Sequence, residues 1–294
     1  MGQIKAAIIG PGLIGIDLMY KIMKRANHIS LDTVIGIFED SEGLKTASEE
    51  GYNVTSEGIE DVINRDDIEI YFDATGAMPH KNINAPAVKE VDKIIIDLTP
   101  ASIGPFVVPS INKKDIVNYK NVNMVTCGGQ ATVPIVSAVS KVAEIEYAEV
   151  VASAASLSAG PGTRQNIDEY TETTKTALMQ VGGAKSAKAI IILNPAEPPI
   201  TMKNTIYCRV NNYSRDDIIE SVNKIVEQVK KYVPGYSLKM GPDIDNDIVT
   251  TVIEVEGEGD YLPKYAGNLD IMTSAALEVG EIYAKHLKGV EINE

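Results

Sequence analysis

The sequence predicts an α/β protein: a parallel sheet with crossover helices, followed by a second region of mixed α+β character. Three observations predict it. A strand over 4–9 leads at once into the glycine turn Gly10-Pro11-Gly12-Leu13-Ile14-Gly15 and a helical stretch over 16–25. Short apolar runs recur at 31–38, 68–72, 93–98 and 122–125, with helical patterns such as 41–50 and 59–64 between several of them, and parallel strands need such crossovers. After Cys127 the alternation changes character.

The first junction reads as a dinucleotide site on a Rossmann-type sheet. In G-x-G-x-x-G the first glycine permits the tight turn, the second lets a pyrophosphate approach the backbone, and the third lets helix and strand pack closely. Gly10, Gly12 and Gly15 hold those places with Leu13 and Ile14 between them in the turn, and the helix that follows aims its amides and positive end at the phosphates. About 24 residues further on, Glu39 and Asp40 end the second apolar run, where an acid can bind a ribose 2′-hydroxyl. Glu39 therefore favours NAD, with NADP as the alternative. Asp73-Ala74-Thr75-Gly76 and Asp97-Leu98-Thr99-Pro100 end the next strands, on the side of an open sheet where ligands bind. Thr75 and Gly76 join the candidate site on that ground.

The segment Val125-Thr126-Cys127-Gly128-Gly129-Gln130-Ala131-Thr132-Val133-Pro134 carries the most chemistry. It sets a cysteine after a strand and just ahead of a helix predicted over 131–144, a position that lowers a thiol pKa. The two glycines let a substrate come close, and helix-start amides can stabilise an oxyanion. Cys208 lies within a predicted strand over 205–210 and reads as core. The apolar run 147–155, a loop over 158–164, strands over 189–193, 205–210 and 248–255 and an amphipathic helix over 216–233 make up the mixed region. A final helix over 271–287 is expected to pack back onto the first domain. The predicted division is therefore a dinucleotide-binding domain over 1–130, a second domain over 131–270 and a C-terminal helical segment over 271–294.

Bulk properties narrow the function. A net charge of −14 over 294 residues argues against nucleic acid or anionic lipid as a partner, since both reward a positive field. Two cysteines give no disulfide framework and suit the cytoplasm. No signal peptide is evident, and no run approaches the roughly 20 apolar residues that span a bilayer. The three histidines, His28, His80 and His286, have no motif tying them to Cys127, which disfavours a Cys-His hydrolase, and no His or Cys cluster has metal-ligand spacing.

Four stretches stand out: Thr126-Cys127-Gly128-Gly129-Gln130-Ala131-Thr132, Ser158-Ala159-Gly160-Pro161-Gly162-Thr163-Arg164, Asn194-Pro195-Ala196-Glu197-Pro198-Pro199, and the run from Tyr261-Leu262-Pro263 through Gly267-Asn268-Leu269 to Met272. Together they resemble the acylating acetaldehyde dehydrogenases of aromatic meta-cleavage pathways. The resemblance covers nearly the whole chain. It implies a fold like glyceraldehyde-3-phosphate dehydrogenase, with 131–270 as a catalytic and dimerisation domain. It also implies oxidation of a short aldehyde to acyl-CoA with NAD and CoA, a homodimer, and complex formation with 4-hydroxy-2-oxovalerate aldolase. Cys127 matches the family nucleophile, Asn166 and Ile167 match residues near the aldehyde channel and nicotinamide, and Asn268 lies in a cofactor-contacting stretch.

Three departures stand out. Asn204 replaces an aspartate thought to help move protons, and an asparagine cannot act as a base. The family's second-strand acid falls on Phe38, leaving Glu39 or Asp40 as substitutes. A family loop is nearly absent between Met240 and Ile248. An acyl-phosphate reductase on the same kind of fold, or a non-catalytic NAD-binding partner subunit of an aldolase, are the alternative readings.

Overall fold

The structure, a computed structural model, describes residues 2–160, 164 and 166–292, so Pro161, Gly162 and Thr163 of the expected loop lie outside the described residues. The chain divides into two compact units. The first comprises Met1–Val107, Lys113–Met124 and Thr273–Glu294, and the second Val108–Asn112 and Val125–Met272.

The first unit is built on six parallel strands: β1 (Ile4–Ile9), β2 (Ile29–Ile35), β3 (Asn53–Thr55), β4 (Ile68–Asp73), β5 (Ile94–Asp97) and β6 (Asn121–Asn123). Their spatial order is β3-β2-β1-β4-β5-β6, and every neighbouring pair is parallel. The strand order reverses between β1 and β4, and that switch point opens a crevice at the carboxyl ends of the strands. Helices α1 (Leu13–Arg25), α2 (Glu42–Glu49) and α3 (Ala85–Glu90) return the chain between strands. Fully buried strand residues such as Ala7, Ile68, Tyr71 and Ile95 form a core with Val88 of α3. Apolar on both faces, these strands suit a parallel sheet covered on both sides.

The last helix, α7 (Gly267–Leu287), contributes its part from Thr273 onward to this unit. Thr273 Oγ1 donates to Asp17 Oδ2 at 2.5 Å, and Asp17 is paired with Lys21 at 2.8 Å inside α1. One turn of chain from the end of α1, Glu281 Oε1 accepts the amides of Asn27 and His28 at 2.9 Å and Ile29 at 3.2 Å, so a carboxylate closes the start of β2. Tyr283 Oη donates to the carbonyls of Ile116 and Tyr119 at 2.8 Å.

The second unit carries a mixed sheet in the order β10-β11-β9-β7-β8. Its strands are β7 (Glu144–Ala155), β8 (Ala187–Asn194), β9 (Met202–Asn211), β10 (Tyr236–Asp245) and β11 (Ile248–Val255). Only β7 and β8 are parallel; the other three pairings are antiparallel. Helices α4 (Cys127–Ser140), α5 (Ile167–Gln180) and α6 (Arg215–Lys230) pack together, with α4 against β7, β9 and β11. In α6 the buried Ile218, Val222, Ile225 and Val229 recur at helical spacing, Ser214 accepts the Asp217 amide, and Asp216 and Asp217 sit at the positive end.

Several expectations change. The helix expected over 131–144 begins at Cys127, because Thr126 Oγ1 accepts the Gly129 amide at 2.9 Å and so caps a first turn that includes both glycines. It ends at Ser140, and Glu144 already belongs to β7. The apolar run 31–38 overshoots: β2 stops at Ile35, and Ile37 and Phe38 stand 69% and 66% exposed. Glu39 therefore lies on an exposed loop four residues past the strand rather than at its end. The helical pattern at 59–64 is only the short turn Ile59–Asp61. Strand β10, absent from the sequence reading, pairs along its length with β11 across a two-residue turn at Asn246 and Asp247, and Asn246 takes a positive φ of 51°. The short connection noted before Ile248 is this hairpin.

Candidate active site

The glycine turn places each glycine differently. A β-carbon on Gly10, whose φ is +99°, would meet the carbonyl group of Ala74 at 2.8 Å, and one on Gly15 would meet the Gly10 oxygen at 2.0 Å. At Gly12 there is open space. Two of the three are thus required by chain packing, and the middle one leaves room for a ligand against the backbone. Gly12 is also the N-cap of α1; it offers no side-chain cap, and no acidic residue occupies the first turn. The amides and positive end at Leu13, Ile14 and Gly15 suit an anion there, so these residues fit a dinucleotide pyrophosphate.

Across the switch point, Ala74 and Thr75 follow β4 beside Gly10, with Gly76 next along the chain. Asp73 Oδ1 accepts the Thr75 amide at 3.0 Å and its hydroxyl at 2.5 Å. Beneath that turn lies a buried polar cluster. His80 Nδ1 is 2.9 Å from Asp73 Oδ2, and its Nε2 is 3.4 Å from Asp97 Oδ2 and 3.3 Å from Asn121 Nδ2. Asn84 donates to Asp73 at 2.8 Å, and Asn123 donates to Asp97 at 2.7 Å. Burial alone would push the His80 imidazole pKa down; its bond to Asp73 and the charges of Asp97 and Asp73 outweigh that and raise it. Burial pushes the Asp97 carboxyl up to about 6 against the pull of His80 and Thr99. Sequence reading missed His80, whose role depends on strand ends brought together by the sheet.

Glu39 lines an open cleft with Lys45, Ser48, Val54 and Ser56. The exposed Leu13, Ile37, Phe38 and Met78 all follow carboxyl ends of β1, β2 or β4. Because these strands are parallel, such residues share one edge of the sheet.

In the second unit, Cys127 is the half-buried first residue of α4. Its thiol donates to Tyr170 Oη at 3.8 Å. Burial raises the thiol pKa, and the bond to Tyr170 and the helix-start amides pull it only partly back. The lowering expected from a helix start is therefore outweighed by desolvation. Asn166 is the N-cap of α5, one turn before Tyr170, so both lie on one side of that helix. Asn268, at the start of α7, donates to the Ser158 carbonyl at 3.3 Å. Asn204 pairs in register with Ala152 of β7; it is completely buried, and among the described residues neither its Oδ1 nor its Nδ2 finds a partner. Cys208 is buried with its thiol pushed up to about 12. Among the described residues no group of three or more His, Cys, Asp or Glu is set to hold a metal, and no helix is long and apolar enough to cross a membrane.

Over 289 residues the chain is 57% identical to an acetaldehyde dehydrogenase of Carboxydothermus hydrogenoformans, covering 98% of this chain and 96% of that one. This chain belongs to the acetaldehyde dehydrogenase family. Family relatives from Bacillus cereus and Thermus thermophilus are 56% and 51% identical, covering 98% and 99% of this chain and 96% and 98% of theirs. Residues 127–263 match the family described as prokaryotic acetaldehyde dehydrogenase, dimerisation. A crystal structure of aspartate semialdehyde dehydrogenase II from Vibrio cholerae aligns with a TM-score of 0.65 at 15% identity, covering 97% of this chain and 99% of that one. That likeness places the fold of this family member with the glyceraldehyde-3-phosphate dehydrogenase type.

Proposed function

We propose that the chain is an acylating aldehyde dehydrogenase, converting acetaldehyde or another short aldehyde to acyl-CoA with NAD through a thioester on Cys127. The observation that carries this reading is the half-buried Cys127 at the capped start of α4, in a chain more than half identical to acetaldehyde dehydrogenases. The Cys127 thiolate adds to the aldehyde carbonyl carbon and gives a thiohemiacetal. Gly10, Gly12, Leu13, Ile14, Gly15, Glu39, Thr75 and Gly76 are the residues that would hold NAD, with Asn166 and Asn268 as further candidate contacts, and NAD would supply the hydride acceptor. Loss of that hydride and of the hydroxyl proton leaves a thioester, and the CoA thiolate then takes the acyl group and releases the Cys127 thiolate. The amides at the start of α4 stabilise negative charge on the substrate oxygen in both additions. Glu39 sets NAD above NADP, since a 2′-phosphate there would meet a carboxylate.

The test is NADH formation from acetaldehyde and NAD with CoA, with phosphate, with arsenate and with no acceptor. CoA-dependent NADH formation is expected, and turnover with phosphate but not CoA would replace this reading with acyl-phosphate chemistry. Asn204→Asp belongs in the same series, because the orphaned amide is what favours a non-catalytic chain. A silent wild type together with an active Asn204→Asp protein would establish loss of a proton-handling acid.

The second unit also proposes its own partner copy. On the sheet face away from α4 and α6, Ile190, Val151, Thr205 and Val252 lie in one row across four strands, and the exposed Ile192, Tyr207 and Ile248 flank it. A homodimer covers this face, in keeping with the dimerisation family that residues 127–263 match. Val151→Arg, in the middle of the row, is expected to convert dimer to monomer in sedimentation velocity without lowering the far-ultraviolet dichroism. An unchanged sedimentation coefficient sinks this interface.

A further inference from the structure

Tyr170 reaches Cys127 through a gap made for it. It is buried on α5, and a β-carbon on Gly128 would stand 2.0 Å from its hydroxyl. Only a glycine after the cysteine therefore admits the phenol to the sulfur, where Sγ and Oη lie 3.8 Å apart. The ring is also fixed from behind. Thr174 Oγ1 donates to the Tyr170 carbonyl at 2.7 Å and meets Thr126 Oγ1, the cap of α4, at 2.6 Å, so the helix that carries the tyrosine is tied to the one that carries the cysteine.

The surroundings leave the phenol without a rival. Besides Tyr170, the influences on the Cys127 thiol are burial and the amides of Cys127 and Gly128; no charged side chain among the described residues acts on it. From the sheet side, Ala152 of β7 packs beneath Gly128, and its neighbour across the register is the neutral Asn204. No histidine is among the influences on that thiol, and both ring nitrogens of His80 are engaged by Asp73 and Asp97.

We propose that Tyr170 is a catalytic residue, whose phenol O–H donates the hydrogen bond that stabilises the Cys127 thiolate, in the place a histidine takes in Cys-His enzymes. In the thiol form the S–H points at the phenol oxygen. Once the thiol proton has left to a base in solution, the phenol turns and donates its own proton to the sulfur without transferring it. Tyr170 keeps that proton, because burial and the adjacent Cys127 hold its own pKa far above the ordinary value. Hydrogen bonds to charged groups are among the stronger ones in proteins, so this single donor has the reach to set thiolate content. The inference rests on reading Cys127 as the nucleophile.

The test is the rate of Cys127 alkylation by iodoacetamide as a function of pH, on the full chain, for wild type and Tyr170→Phe. Cys127→Ser supplies the background from Cys208. The Tyr170→Phe midpoint is expected to move up by about one pH unit, with alkylation near neutral pH falling about tenfold. A midpoint that stays or falls overturns the proposal. Incorporation of 3-fluorotyrosine at position 170 keeps the ring, the hydroxyl and the fold; its more acidic phenol is a stronger donor and is expected to lower the midpoint, and no movement overturns the proposal. Alkylation does not require turnover. A shifted midpoint in a protein that oxidises no aldehyde would therefore sink the functional reading and the catalytic role with it, while leaving the Tyr170 hydrogen bond to the Cys127 thiolate established.

Discussion

Cys127→Ala abolishes CoA-dependent NADH formation, with kcat/KM falling by about 10⁴-fold or more, as expected when a covalent nucleophile is removed and only binding remains. The substitution deletes one sulfur from a half-buried position. It leaves the Thr126 cap, the Gly129 amide it accepts and the packing of α4 intact. Stability should change little, and NADH binding, measured by nicotinamide fluorescence, should be retained because the glycine turn belongs to the other unit. Loss of turnover with retained NADH affinity and an unchanged melting temperature is the expected set of results. Aldehyde oxidation at the wild-type rate would eliminate the thioester route altogether.

At a pH below the folded pKa of His80, His80→Leu costs the first unit roughly 3–5 kcal/mol, because it strips the cationic partner from two fully buried carboxylates. Asp73 would keep Thr75 and Asn84 as donors, and Asp97 would keep Thr99 and Asn123, but neither would face a positive charge. The pH dependence has a defined sign. The folded pKa of His80 lies above its ordinary 6.5, so its contribution is fully present below pH 6.5 and disappears as pH rises through the folded value. Asp97 is also raised, from 3.8 to about 6, so the folded state again holds the proton more tightly and its contribution fades as pH climbs through that range. Wild type should therefore lose stability as pH rises above 6.5, and His80→Gln, which can hydrogen bond but not carry charge, should show a flatter dependence. Denaturant melts across the pH range check both points. A wild-type curve that rises with pH while the His80→Gln curve is flat would show the cluster to be wrongly described. Because Asp73 also holds Thr75 beside Gly10, NADH affinity should fall in the same variants.

The parallel sheet and its glycine turn were legible in the sequence for a local reason. Gly10 and Gly15 answer to contacts a few residues away or at the next strand end, and strands buried on both faces write themselves as unbroken apolar runs. The same rule misled at 31–38, where Ile37 and Phe38 continue the run but stand in solvent past the end of β2. Strand β10 was invisible because Gly241, Pro242 and two aspartates dilute its pattern; pairing with β11 from Tyr236 to Asp245, with register shifts around Lys239 and Gly241-Pro242, holds it in place. Thr126 could have been recognised as a cap from its type alone, which would have put Cys127 inside the helix rather than ahead of it.

By itself the sequence determined the fold class, the glycine turn and the family, because these rest on periodicity, residue type and order along the chain. Only the tertiary structure decided which side chains meet: Tyr170 at the Cys127 sulfur, His80 between Asp73 and Asp97, Asn204 buried with its amide unanswered. Those encounters join residues from different elements, separated by 43 positions for Cys127 and Tyr170, and no local pattern records them. The thiol pKa belongs with them. Helix position alone argues for a lowered value, but burial, which the fold imposes, raises it.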